Sequence, residues 1–131
     1  MNAIYTKMEV WRPYILSILR IVAALLFLQA GLSKVFGFPV PGPSLQGLII
    51  LAAFLETVGA VLLLVGAYTR IVAFILSGEM AVAYFMAHAP RSFYPIANGG
   101  EPAILFCFVF LYLAFAGGGA WSIDRAMLNQ N

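Results

Sequence analysis

Arg20, Glu56 and Glu79 each stand inside a run made almost entirely of Leu, Ile, Val, Ala and Phe. A charge at the centre of a bilayer costs about 2.5–3.5 kcal/mol on insertion scales, so such residues pair with one another or line a site. Counted at about 1.5 Å per residue, Arg20 stands roughly 10 Å above Pro13, Glu79 roughly 13 Å above Arg70 and Glu56 roughly 15 Å above Gly66. The three fall at nearly one depth, which predicts a buried Arg20–Glu56 pair. With Glu79 added, one base faces two acids, an arrangement that can take up and release a proton inside the membrane. The plainer reading is an ion pair that only fixes helix register. Both stay open at this point.

Helical phase agrees with the pairing. Ser17, Arg20, Ala24, Phe27, Gly31 and Lys34 share one stripe, and Ala52, Glu56, Gly59 and Ala60 share another. Small-residue stripes mark helix–helix contacts in membranes. Tyr112 and Phe108 are expected to form an aromatic wall beside the charged core. A second polar group, Lys34, His88, Arg91, Asn98 and Glu101, is expected near the opposite surface. Glu101 also reads more simply as an acid favoured at a helix N-terminus. With one His and one Cys in the chain, no haem, zinc or iron–sulfur site is expected from it. Cys107 reads as a small apolar residue. Glu79 and His88 lie nine residues apart, about 180° around a regular helix. His88 therefore belongs to the loop layer, or the third helix has a second buried side facing a partner or a second copy in a homodimer.

The elements that carry these residues are apolar helices. Charged residues make up 9% of the chain, against about 25% in soluble domains. The expected fold is an all-α membrane protein, a four-helix transmembrane bundle forming one domain over residues 1–131. Its spans are expected at residues 13–36, 45–65, 71–88 and 102–116, each near the length a bilayer requires. Residues 1–12 read as a short interfacial helix, with Pro13 in the first turn of the first span. The Pro-rich stretch from Gly37 to Pro43 is a loop. Gly66-Ala-Tyr-Thr-Arg70 is a tight turn with Thr69 as N-cap, Pro102 opens the last span, and Gly117–Gly119 breaks it. Trp121 suits an interfacial anchor. Lys7, Arg12, Arg70 and Arg125 collect on one side and Lys34 and Arg91 on the other, which places both termini in the cytoplasm. A net charge of +2, scattered along the chain, excludes a nucleic-acid footprint.

Several stretches in order make this chain similar to the DoxX family of small four-helix membrane proteins. They are Arg20 with Gly31-Leu-Ser-Lys34, Phe54-Leu-Glu-Thr-Val-Gly59, Gly66–Arg70, Ala87-His88, Asn98-Gly-Gly-Glu101 and Gly117-Gly-Gly-Ala-Trp-Ser-Ile-Asp124. The family's Gly-Pro-Gly turn is replaced by three glycines. The resemblance implies a bacterial inner-membrane protein associated with redox systems, since some relatives are membrane subunits of a thiosulfate:quinone oxidoreductase. It also implies a quinone-like ligand. The cysteine pair of the similarly built vitamin K epoxide reductases is absent, so their thiol chemistry does not carry over. Three functions follow as expectations. The first is a redox-associated membrane subunit that binds a quinone-like or lipid ligand in its polar core, with a membrane or soluble redox partner. The second is a non-catalytic assembly subunit. The third is a small proton-coupled exporter working as a dimer.

Overall fold

A computed structural model describes residues 2–129; the first residue and the last two of the expected 1–131 domain lie outside the described residues. The chain is helical in the order α1 (Ala3–Phe36), α2 (Leu48–Val65), α3 (Thr69–Ala83), α4 (Pro95–Asn98), α5 (Glu101–Ala116) and α6 (Ile123–Leu128). A π-helical turn over Tyr84–His88 and a 3-10 turn over Ala89–Arg91 prolong α3. Three helical segments are long and apolar enough to cross a membrane: α1, α2 and the stretch Thr69–Arg91. The fourth apolar helix, α5, has 16 residues, about 24 Å, and is shorter than those three.

The first helix departs from expectation. Residues 3–36 form one continuous helix in place of an interfacial helix followed by a span, and Pro13 lies inside it. Asn2 starts it early: its side chain accepts from the backbone N–H groups of Ile4 and Tyr5. At 34 residues α1 is about 51 Å long, more than a hydrocarbon core of about 30 Å. Gly66 ends α2 in the left-handed conformation, as the turn signal predicted. Thr69 is not the cap of α3; Tyr68 takes that position, with a positive φ of 52°. The short helix α6 has no counterpart in the sequence reading.

Neighbouring long helices run antiparallel. Gly31 of α1 abuts Thr57 of α2, Gly59 of α2 abuts Leu76 of α3, and Ser77 of α3 bonds to Cys107 of α5. Inside, the core is built on fully buried small side chains at Ala24, Ala60 and Ala73, filled by Phe27, Leu63, Leu76, Phe110 and Leu113. Phe27 meets Phe110 edge-on with ring centres 4.9 Å apart. Outside, large apolar residues such as Phe74, Phe85, Leu105 and Phe115 stay exposed. Lipid, as apolar as the core, accepts that surface, so close packing of small residues holds the helices together.

Gly31 tests this packing. A Cβ there would stand 2.8 Å from the Thr57 backbone nitrogen, whereas one on Gly78 would meet nothing within 4 Å. Gly31→Ala should cost about 1–3 kcal/mol through forced separation of α1 from α2. Gly78→Ala should be neutral or stabilising by about 0.5–1 kcal/mol. Thermal unfolding of the two variants in detergent checks the contrast; equal melting temperatures would contradict the packing.

Candidate functional site

The expected Arg20–Glu56 pair does not form. Arg20 is 1% exposed and turns toward the end of the molecule that holds both termini. Its Nε donates to the carbonyl of Leu63 at 2.7 Å, and its terminal nitrogens donate to the carbonyls of Trp121 at 2.7 Å and of Gly118. Leu63 lies in the last turn of α2, where its carbonyl also accepts from the Gly66 N–H and the macrodipole is negative. Asp124 supplies the counter-charge. Its two carboxylate oxygens accept from the backbone N–H groups of Tyr68 and Thr69, at 2.7 and 2.8 Å, which caps α3. Ser17 accepts from the Trp121 N–H and donates to the Gly118 carbonyl. Arg70 donates to the carbonyls of Ala114 and Phe115 at the end of α5. Depth counting failed because the long Arg20 side chain reaches along the helix, about 10 Å from the level of Glu56.

Glu56 takes Lys34 as its partner. Lys34 Nζ lies 2.7 Å from Glu56 Oε1, and the two side chains are 20% and 4% exposed. Lys34 stands in the last turn of α1, where a cation also suits the helix end. Lys34 does not join the expected outer group; its flexible stem brings the ammonium down to the acid instead. Glu79 of α3 lies close enough to Glu56 for the two carboxyls to interact. Its Oε1 is buried and has no hydrogen-bond partner. Lys34, Glu56 and Glu79 thus join three helices in one cluster, one base against two acids. With one proton bound the cluster is neutral; without it the charge is −1.

Beside the cluster runs an apolar groove of about 130 Å³ between α2 and α3, lined by Phe54, Leu55, Val58, Leu62, Val72 and Ile75 together with Gly59 and Leu76. Gly59 is one turn from Glu56, and Leu76 one turn from Glu79. Tyr112 and Phe108 do not wall the charged core. Both are exposed on the outer side of α5, and Tyr112 borders a different cavity, near Arg12 and Arg125.

The expected outer cluster also divides. Arg91 and Glu101 are exposed and Lys34 belongs to Glu56, which leaves His88 and Asn98 together. His88 Nδ1 lies 3.0 Å from the Asn98 carbonyl oxygen. The buried Asn98 side chain donates to Tyr84 Oη and to the Ser92 carbonyl and accepts from the Gly100 N–H, clasping the loop before α5. The π-turn resolves the 180° conflict, since its wider winding turns His88 toward its own chain's loop. Among the described residues no group of three or more His, Cys, Asp and Glu could hold a metal ion.

These geometries predict opposite couplings for the two bases. Lys34→Met leaves Glu56 buried without its cation and should cost about 3–5 kcal/mol, as should Glu56→Gln in reverse, with strong non-additivity between them. Arg20 and Glu56 share no partner, so their changes should add within about 0.5 kcal/mol. A double-mutant cycle on thermal stability measures both; a large Arg20–Glu56 coupling would overturn the assignment.

The similarities of the chain follow the same residues. The family model described as DoxX matches residues 15–89, a stretch that holds Arg20, Lys34, Glu56 and Glu79. A protein of Haemophilus influenzae (strain ATCC 51907 / DSM 11121 / KW20 / Rd), described as an uncharacterized protein, is 44% identical over 132 residues, covering 95% of this chain and 98% of its own length. No solved structure matches the chain. With the matched family model spanning more than half of its length, the chain belongs to the DoxX family.

Proposed function

We propose that this protein is a membrane subunit of a redox-associated system that carries protons at the Glu56–Glu79 pair to a quinone-like ligand. In this reading α1, α2, α3 with its extension, and α5 span a bacterial inner membrane as four helices, with both termini cytoplasmic. The observation that carries it is the unpartnered, buried Glu79 Oε1 beside a carboxyl already bound to Lys34. A merely structural ion pair needs one acid for one base. A third ionisable group inside apolar helices, left with a spare acceptor, suits proton transfer.

Reduction of a quinone takes up two electrons and two protons; the electrons come from a partner subunit and this chain handles protons. Lys34 holds Glu56 in place, and Glu79 exchanges a proton with it across their contact. The apolar groove, whose lining residues Gly59 and Leu76 lie one turn from the two acids, suits an isoprenoid or acyl tail, which would set a polar head near the carboxyls. Arg20 has no part in this step, because its donors are committed to backbone carbonyls.

Purification in mild detergent, followed by mass spectrometry of bound lipids and quinones, tests the ligand. Near-stoichiometric quinone is expected, and Glu79→Gln should keep the melting temperature while losing both quinone and a protonated-carboxyl infrared band. A stable protein partner with no quinone would sink this reading in favour of an assembly subunit. Reporter fusions should place both termini on the cytoplasmic face; fusions reporting opposite faces would rule out the four-span topology.

A further inference from the structure

We propose that a separate cavity at the end holding the termini binds the phosphate headgroup of an anionic phospholipid. The cavity, about 270 Å³, lies where α1, α5 and the C-terminal α6 meet. Arg12, Arg125 and Tyr112 give it polar walls, while Leu16 and Ala116 give it an apolar side. The two arginines come from opposite ends of the chain, and among the described residues no acid lines the cavity. Nearby carboxylates are poor competitors. Glu9 meets Arg12 at 3.4 Å, but both side chains are exposed and such a pair is weak. Asp124, next to Arg125, is committed to the N–H groups of Tyr68 and Thr69.

Guanidinium groups match phosphate with paired N–H donors, and two of them on one concavity favour an anion over a zwitterion. The surroundings point to a lipid as its source. Trp11, Tyr14 and Trp121 form a chain of ring contacts at the same end, with centres 5.4 and 5.3 Å apart, an aromatic collar of the kind that sits at headgroup level. Exposed Leu19 and Phe108 stand one turn beyond the lining residues Leu16 and Tyr112 on α1 and α5, so acyl chains would continue along an apolar surface. This site is remote from Glu56 and Glu79 and stands whether or not those residues handle protons.

The test uses the full chain in nanodiscs of phosphatidylcholine, with and without phosphatidylglycerol, and native mass spectrometry of the detergent-purified protein. Phosphatidylglycerol should raise the melting temperature and remain bound as one molecule. Each of Arg12→Gln and Arg125→Gln should weaken retention about fivefold and the double variant roughly thirtyfold, from about 1 kcal/mol per basic residue at a membrane surface. Arg91→Gln, at the opposite end, should change nothing. If the double variant fails to fold, the single variants decide by the same readout. Equal retention by wild type and the Arg12 and Arg125 variants overturns the site. Equal stabilisation by phosphatidylcholine removes the anion preference. If millimolar inorganic phosphate stabilises as well and displaces the lipid, the cavity is a soluble-anion site and the lipid assignment is wrong.

Discussion

A buried guanidinium organises one end of this protein. Backbone carbonyls at the end of a helix have no partner within the helix, and lipid offers none. Arg20 adds charged donors to the end of α2, beside those of the Gly66 cap, and across the interface to the glycine-rich turn after α5. Asp124 does the complementary work on the N–H groups that open α3. Two of the three glycines follow from this crowding: a Cβ on Gly119 would stand 2.5 Å from Ser17 Oγ, and one on Gly118 would stand 2.7 Å from Ser122 Cβ. Once that end is clasped, the antiparallel order of the long helices and their relative heights are fixed.

The clasp leaves the acids of the interior to a different cation. Had Arg20 reached Glu56, the carbonyls at the end of α2 would lack their strongest donor and Lys34 would have no buried partner. Instead Arg20 takes the carbonyls at the end of α2 and Lys34, in the last turn of α1, takes Glu56. The same helix thus holds a structural cation at its middle and a cation facing two carboxyls near its finish. Small residues make both possible, because Gly31 lets α1 approach α2 within a turn of the Lys34–Glu56 bridge.

Polar chemistry is therefore divided by height. At the clasp, most polar groups found have partners within the chain, which favours rigidity. At the Lys34–Glu56–Glu79 cluster one carboxyl oxygen has none, and residues lining an apolar groove lie a turn away. Rigid packing below and an incomplete hydrogen-bond set above suit the proton exchange proposed for Glu56 and Glu79.

By itself the sequence determined where the long apolar helices lie, since hydrophobic runs and the Gly and Pro breaks between them are local properties. The stop of α2 at Gly66 and the start of α5 beside Pro102 were legible for that reason, and so was the family, carried by short motifs in order. It also marked Arg20, Glu56 and Glu79 as the residues to explain. Only the tertiary structure decided their partners. Axial depth along a helix locates a Cα, whereas Arg and Lys side chains reach more than a turn in either direction, so Arg20 and Lys34 could exchange roles without changing any periodicity. The π-turn at Tyr84–His88 and the continuation of α1 through Pro13 were likewise invisible, because both depend on contacts made elsewhere: the Asn98 loop that receives His88, and the Ala120 N–H that bonds the Pro13 carbonyl. Local propensity fixes helices; which long side chain meets which carbonyl or carboxylate is fixed only when the helices pack.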